Sequence, residues 1–340
     1  MRIMIVSPWG KTAFELGGFC KEALGEIGHA VDLFLYNDER LSSRMPFFAN
    51  IERGLTEKAL LRKISRFRPK LILVIKGDRI PLKVIRGIKE NFDVEIANYW
   101  IDDPYAIEVS QKISPFYDYF FTNDPECVQI HKHAGCPHVE FLSFGHFPGL
   151  HSKVELSQKE YETYGSDVCF AGTVSEERLK VLEALSDLDL RVWSPRHVVT
   201  FRKEYQIDKN ILRPSSPLYD RFMNRSVWGE ELVKVYNASK IVLNIHSPQS
   251  VPIMRDFEVT GCGSFLLTDD ARSLAAMFEP GEEIICWRKL EELREMVAFY
   301  LSHPEERKEI ARRGEIRANQ DHTYTKRMGE LVSFIEENKP

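Results

Sequence analysis

A chain of 340 residues, 43% apolar and 29% charged, is globular and long enough for about two domains of ordinary size. Lys plus Arg is 46 against 51 for Asp plus Glu, and a net charge of −5 gives no general pull toward nucleic acid or an anionic membrane. The opening run MRIMIVS is short for a signal peptide, no stretch nears ~18 uninterrupted apolar residues, and the six cysteines lack a pairing rhythm. A cytoplasmic protein with reduced thiols and no transmembrane segment is expected, peripheral membrane contact being left open.

In chain order, RIMIVS at 2–7 reads as a buried strand. Helical spacing follows, with Phe19, Ala23, Leu24 and Ile27 on one face and a stop at Gly28, before a strand over 30–35. Gly17 and Gly18 fall at the loop-to-helix entry, where absent side chains let a ligand approach; a plain turn explains them equally. Residues 55–66 read as helix, LILVI at 71–75 as a buried strand, and PLKVIRGIKEN as a helix opened by Pro81. The strand over 94–100 runs into Asp102, Asp103 and Pro104 at the carboxyl edge of a parallel sheet, the edge where open α/β sheets bind their ligands. Neighbouring carboxylates push one pKa up, so Asp102 or Asp103 is a candidate base, although Asp-Asp-Pro is also ordinary turn chemistry. A strand over 117–123 and the helix ECVQIHKHAG come next. His131, His133, Cys136 and His138 cluster there, but their spacing matches no zinc pattern and the same letters describe a helix end, a Gly135 cap and a return strand; no metal is expected.

Residues 144–166 are polar and carry no period, so a linker over 149–166 separates a first domain, 1–148, from a second, 167–325, with 326–340 as a last helix that crosses back. His146, at the end of the last strand of the first half, is placed facing the cleft as a candidate catalytic group; a solvated loop histidine is the plainer reading. The second half restarts with the strand DVCFAG, and Gly172 and Thr173 before a helix start make an anion nest. LRVWS at 190–194 is a strand and 195–228 is loop-like, with Pro195, Pro214 and Pro217. Gly229 opens a helix whose Leu232, Val233, Tyr236 and Ala238 face inward, and residues 289–318 form two amphipathic helices split at His303-Pro304.

The second half turns on residues 240–269, KIVLNIHSPQSVPIMRDFEVTGCGSFLLTD. Two apolar runs, 241–245 and 264–268, read as parallel strands around a helix whose first turn holds Pro252 and whose stop is Gly261 and Gly263. The helix N-terminus opens past the first strand, beside Asn244 and His246, and favours a phosphate or diphosphate. Arg255 and Glu258 share a face, so a guanidinium can meet the diphosphate while a carboxylate deeper in takes sugar hydroxyls. A surface ion pair is the bland alternative.

The pattern R-x-F-E-x-x-x-C-G-x-F-L-L-T-D, followed by MFEPGEEII, EELREMVAFYLSHPEERKEIARRGEIR and DHTY, resembles the nucleotide-sugar half of GT-B glycosyltransferases, and among them the spore-maturation (CgeB-type) group. The likeness covers residues 165–330 well and the first half loosely. It implies an α/β fold of two Rossmann-like parallel-sheet domains facing across a cleft. It also implies that Gly172, Thr173 and Arg178 lie near the diphosphate, that Val227 and Trp228 hold the nucleobase, and that Glu258 holds the donor ribose. The family's other glutamate would fall at Ser250, which puts the usual sugar contact in doubt. A Gly pair at the acceptor loop, as at Gly17 and Gly18, and an Asp-rich turn fit the same family.

The expectation is an enzyme, a metal-independent glycosyltransferase of the hexosyltransferase type with no cofactor. It would move a sugar from a nucleotide-diphosphate sugar to an unknown glycan, lipid or protein acceptor, with no nucleic-acid partner. A non-catalytic sugar-nucleotide-binding module and a nucleotide-sugar epimerase on the same scaffold are the alternatives.

Overall fold

The structure is a computed structural model and describes residues 1–8, 11–36, 49–201, 207–246 and 251–339. The chain divides into two compact units, the first formed by Met1–Ser143 with Tyr324–Pro340 and the second by Phe144–Thr323.

The first unit alternates strand and helix: β1 (Arg2–Pro8), α1 (Lys11–Glu26), β2 (Ala30–Tyr36), α2 (Ala49–Phe67), β3 (Leu71–Ile75), α3 (Leu82–Asn91), β4 (Glu95–Trp100), α4 (Ile107–Ile113), β5 (Tyr119–Thr122), α5 (Cys127–His133) and β6 (His138–Phe141). The strands form one parallel six-stranded sheet in the order β2-β1-β3-β4-β5-β6. Continuous apolar runs such as LILVI in β3, buried at every position, suit a sheet covered on both faces. Gly28 ends α1 with a positive φ, as expected. Ile27 is more than a third exposed, whereas Phe19, Ala23 and Leu24 are buried, so the packed face of α1 excludes it.

Gly17 and Gly18 lie in the middle of α1 rather than at its entry. A Cβ on Gly17 would press on the Ser7 side chain, so that glycine lets the helix lie close on β1, while Gly18 has open space beside it. Both lie within a helix, a correction to the loop expected of them, and of the two only Gly17 is required by close packing.

The second unit contains α6 (Gln158–Tyr164), β7 (Val168–Ala171), β8 (Val174–Ser175), α7 (Glu176–Glu183), β9 (Leu190–Trp193), β10 (His197–Phe201), β11 (Ile207–Ile211), α8 (Gly229–Ala238), β12 (Ile241–Asn244), α9 (Met254–Gly261), β13 (Leu266–Asp269), β14 (Ile285–Trp287), α10 (Leu290–Ser302) and α11 (Pro304–Asp321). Its main sheet is parallel in the order β14-β13-β12-β7-β9. Val168, Phe170, Leu243, Leu267 and Ile285 put its strands into one core. Two features differ from the sequence reading. The stretch taken as loop holds the antiparallel pair β10 and β11, which joins β8 in a small second sheet. The segment 149–166, taken as a linker, lies inside the second unit and carries α6, started by a Ser157–Glu160 capping box.

The last helix, α12 (Tyr324–Glu337), returns to the first unit. Tyr324, Met328, Leu331 and Ile335 bury one side of it, with Tyr324 stacked on Phe19 at 5.6 Å and Phe334 edge-on to Phe121 at 5.5 Å. Thr325 donates to Glu26 at 2.6 Å.

Candidate functional site

β7 and β12 are hydrogen-bonded neighbours running the same way, so their carboxyl ends lie side by side. Just past β7, Gly172 has a φ of +146°, and a Cβ there would overlap the guanidinium of Arg255. Only glycine leaves that space. Arg255, in the first turn of α9, lies 5.0 Å from the centre of the Phe170 ring and donates to Asn244 Oδ1 at the end of β12. Arg178 reaches the same ring at 5.8 Å. It is held by its own donations, Nε to the Ile245 carbonyl at 2.8 Å and Nη1 to the Thr173 carbonyl at 2.9 Å. Ser175 caps α7 by accepting from the Arg178 amide. Gly172, Thr173, Arg178, Asn244 and Arg255, far apart in sequence, thus meet at one sheet edge, with two cations near one aromatic ring.

The start of α9 departs from the expected open nest of amides. The helix begins at Met254 after Ile253, so Pro252 stands ahead of its first turn. The Ile253 amide is taken by the carboxylate of Asp256, 2.8 Å away. That carboxylate is fully buried and also accepts from Asn244 Nδ2 at 2.6 Å and His246 Nε2 at 2.8 Å. The opposite edge of the imidazole, Nδ1, meets Asp269 at 2.7 Å, and the His246 amide donates to the same oxygen at 2.8 Å. Burial alone would lower the His246 pKa, but Asp256 and Asp269 outweigh it and hold it up at about 9. Burial likewise opposes the charge on Asp269, while its bonds to His246 keep its pKa below the usual carboxylate value. His246 is therefore an imidazolium donating from both nitrogens, set behind the edge rather than on it. Asp256 carries no role in the sequence reading and Asp269 enters it only as the last letter of the quoted pattern; a carboxylate at the third helical position and one closing a buried strand are the signals available.

Glu258 lies one turn further along α9, 12% exposed, with His151 Nε2 3.9 Å away. The Phe147 amide donates to His151 Nδ1 at 3.1 Å, which puts the ring proton on Nε2, the nitrogen facing Glu258. Burial pushes His151 down to about 3, so the ring is neutral. His146 is fully buried, against the expectation that it faces open space. Its ring occupies the room left by Gly261, and burial holds its pKa down at about 4. An imidazole so placed packs against α9. Trp228, half-buried, stands at the start of α8. Ser250 lies outside the described residues.

In the first unit the neighbouring aspartates have opposite surroundings. Asp103 is 1% exposed and accepts from Ser110 and Thr122 at 2.7 Å and from His131 Nε2 at 2.8 Å, while Asn123 bonds both its amide and its carbonyl. A carboxylate with these partners braces the loop after β4, whereas a candidate base was expected there. Asp102 is 29% exposed and pairs at 2.7 Å with Lys76, from the end of β3. His131 serves Asp103, and no group of metal-binding side chains occurs among the described residues. No helix of the described residues is long and apolar enough to cross a membrane.

Two parallel-sheet Rossmann-like units give the chain the GT-B fold. Residues 176–333 match the family model described as Glycosyl transferase-like. The chain is 25% identical over 270 residues to Spore protein CgeB of Bacillus subtilis (strain 168), covering 75% of this chain and 79% of that protein. Its fold is shared with sucrose-phosphate synthase of Thermosynechococcus elongatus, with a TM-score of 0.69, 13% identity and full coverage of both chains. It is shared too with the Anabaena protein HepE solved in complex with UDP-glucose, with a TM-score of 0.67, 12% identity, and 99% of this chain and 100% of that one covered.

Asp103→Ala is expected to lower the thermal stability of the first unit by on the order of 3 kcal/mol, because buried hydroxyls and His131 lose their acceptor, whereas Asp102→Ala shifts it by under about 1 kcal/mol; calorimetry of the two variants measures this. The raised pKa of His246 makes its contribution to stability complete below its ordinary value of 6.5 and lost as pH rises through about 9. The thermal midpoint is expected to fall across that window in the wild type, and the fall to flatten in His246→Gln, which starts lower.

Proposed function

We propose that the second unit holds a nucleotide-diphosphate sugar and that the chain transfers the sugar to an acceptor. The observation that carries this reading is the pair of guanidinium groups, Arg255 and Arg178, held above Phe170 at the carboxyl edge of β7 and β12. An edge of this kind is where parallel α/β sheets receive phosphorylated ligands. Charge accumulates on the diphosphate as the glycosidic bond to it breaks, and fixed cations stabilise it without reorganising. In this reading the guanidiniums do that work and no divalent metal is required. Phosphate recognition shifts from the amides of α9, one of which Asp256 takes, to these side chains.

Glu258, deeper along α9, is the group proposed for the donor ribose, its carboxylate accepting from two hydroxyls. Trp228 is proposed to meet the nucleobase. Asp102 is proposed as the base that takes the acceptor's proton, Asp103 being committed to the loop. The likeness to HepE, a protein solved with UDP-glucose, supports a uridine nucleotide as the first donor to try.

Among UDP, GDP, dTDP, CDP and ADP, UDP is expected to raise the thermal midpoint of the second unit; at a hundredfold excess over its Kd the gain is about 2.7 kcal/mol. Arg255→Ala and Gly172→Ala are each expected to abolish most of the shift, the first by removing the cation and the second by displacing it. If all five nucleotides leave the midpoint unmoved, the donor assignment is wrong. With donor and a working acceptor, Asp102→Asn is expected to lower kcat by about 10²- to 10⁴-fold while leaving UDP binding unchanged; full turnover in that variant removes Asp102 from the role.

A further inference from the structure

Arg255 carries the weight of the donor reading, and the structure shows what holds it. A free arginine gives up rotamer entropy when it is fixed, so a guanidinium set in place beforehand binds an anion better than a mobile one. The bonds behind Arg255 run without a gap. Asp269 Oδ1 accepts from His246 Nδ1 at 2.7 Å, His246 Nε2 donates to Asp256 Oδ2 at 2.8 Å, Asn244 Nδ2 donates to Asp256 Oδ1 at 2.6 Å, and Asn244 Oδ1 accepts from Arg255. Asn244 and Asp256 are fully buried and His246 is 4% exposed, so none of these three presents itself to a ligand.

We propose that Asp269, His246, Asp256 and Asn244 are positioning residues that aim the Arg255 guanidinium, and that they act on donor binding only through it. The polarity of each link is determined by its neighbours. Asp256 can only accept, so the Asn244 amide must turn its NH2 toward it, which leaves Oδ1 for Arg255; the reverse orientation would set donor against donor and acceptor against acceptor. The set holds two cations and two carboxylates, a balance that lets it sit in the interior. The Ile253 amide also ends on Asp256, so the first turn of α9, which carries Arg255, is tied to the same carboxylate. The donor-binding consequence rests on the proposed function; the aiming of Arg255 does not.

The ligand-free protein gives the first test. In its ¹H–¹⁵N spectrum the Arg255 guanidinium, assigned by its loss in Arg255→Lys, is expected to give slowly exchanging signals that vanish in Asn244→Ala and in Asp269→Asn. Asn244→Ala keeps every charge and is the milder change, and the far-UV circular dichroism of each variant shows whether it is folded. Titration with UDP is expected to show each variant about tenfold weaker than wild type, and no weaker than Arg255→Ala when combined with it. Persistence of the guanidinium signals in both variants, or losses that add to that of Arg255→Ala, would overturn the proposal. A wild type that ignores UDP while its Arg255 signals respond to Asn244→Ala sinks the donor reading and leaves the positioning intact.

Discussion

The second unit is organised around a charged imidazole in its interior. Burying one ion is costly, and His246 is accommodated because a carboxylate stands on each side of it, Asp256 from α9 and Asp269 from β13. Those two bonds join the start of a helix to the end of a strand that the chain reaches only later. They also set the orientation of Asn244 and so of the arginine beyond it. A hydrophobic substitute at the centre could pack the same volume, but it could not transmit direction. The polar interior here makes one arrangement of the sheet edge strongly preferred over others of similar compactness.

The architecture supplies the rest by topology. In a parallel sheet every strand ends at the same edge, so residues 70 or more apart in sequence, such as Phe170 and Asn244, become neighbours without any local motif joining them. Glycines then decide how close the side chains come. Gly172 leaves room for a guanidinium and Gly261 for the His146 ring. One admits a charged group to the edge and the other seats a neutral imidazole against α9, though both are the same residue in the sequence.

Much of this could be read from the letters, and the failures have physical causes. LILVI at 71–75 and IVL at 241–243 are apolar without alternation, as a strand covered on both faces asks. The resemblance in R-x-F-E-x-x-x-C-G led to Arg255, and Arg178 was found with it. The pair β10 and β11 was missed because Pro195, Pro214 and Pro217 around it suggested a loop, although Val198, Val199 and Thr200 are β-branched and carried the strand signal. Asp102 and Asp103 were inseparable for a different reason. Ser110, Thr122 and His131 reach Asp103 from separate elements, and no local pattern reports which of two adjacent side chains such partners will capture. His146 failed likewise: its surroundings come from α9 and from residues near 322, far along the chain.

The return of α12 to the first unit has a consequence for how the protein is made. On the ribosome the second unit, Phe144–Thr323, is a continuous stretch and is complete once its last residue emerges. The first unit, begun earlier, waits with the α1 surface around Phe19 uncovered until Tyr324 and the helix behind it arrive. The half translated first is thus the half that closes last, and throughout elongation it carries an apolar face that a chaperone could recognise.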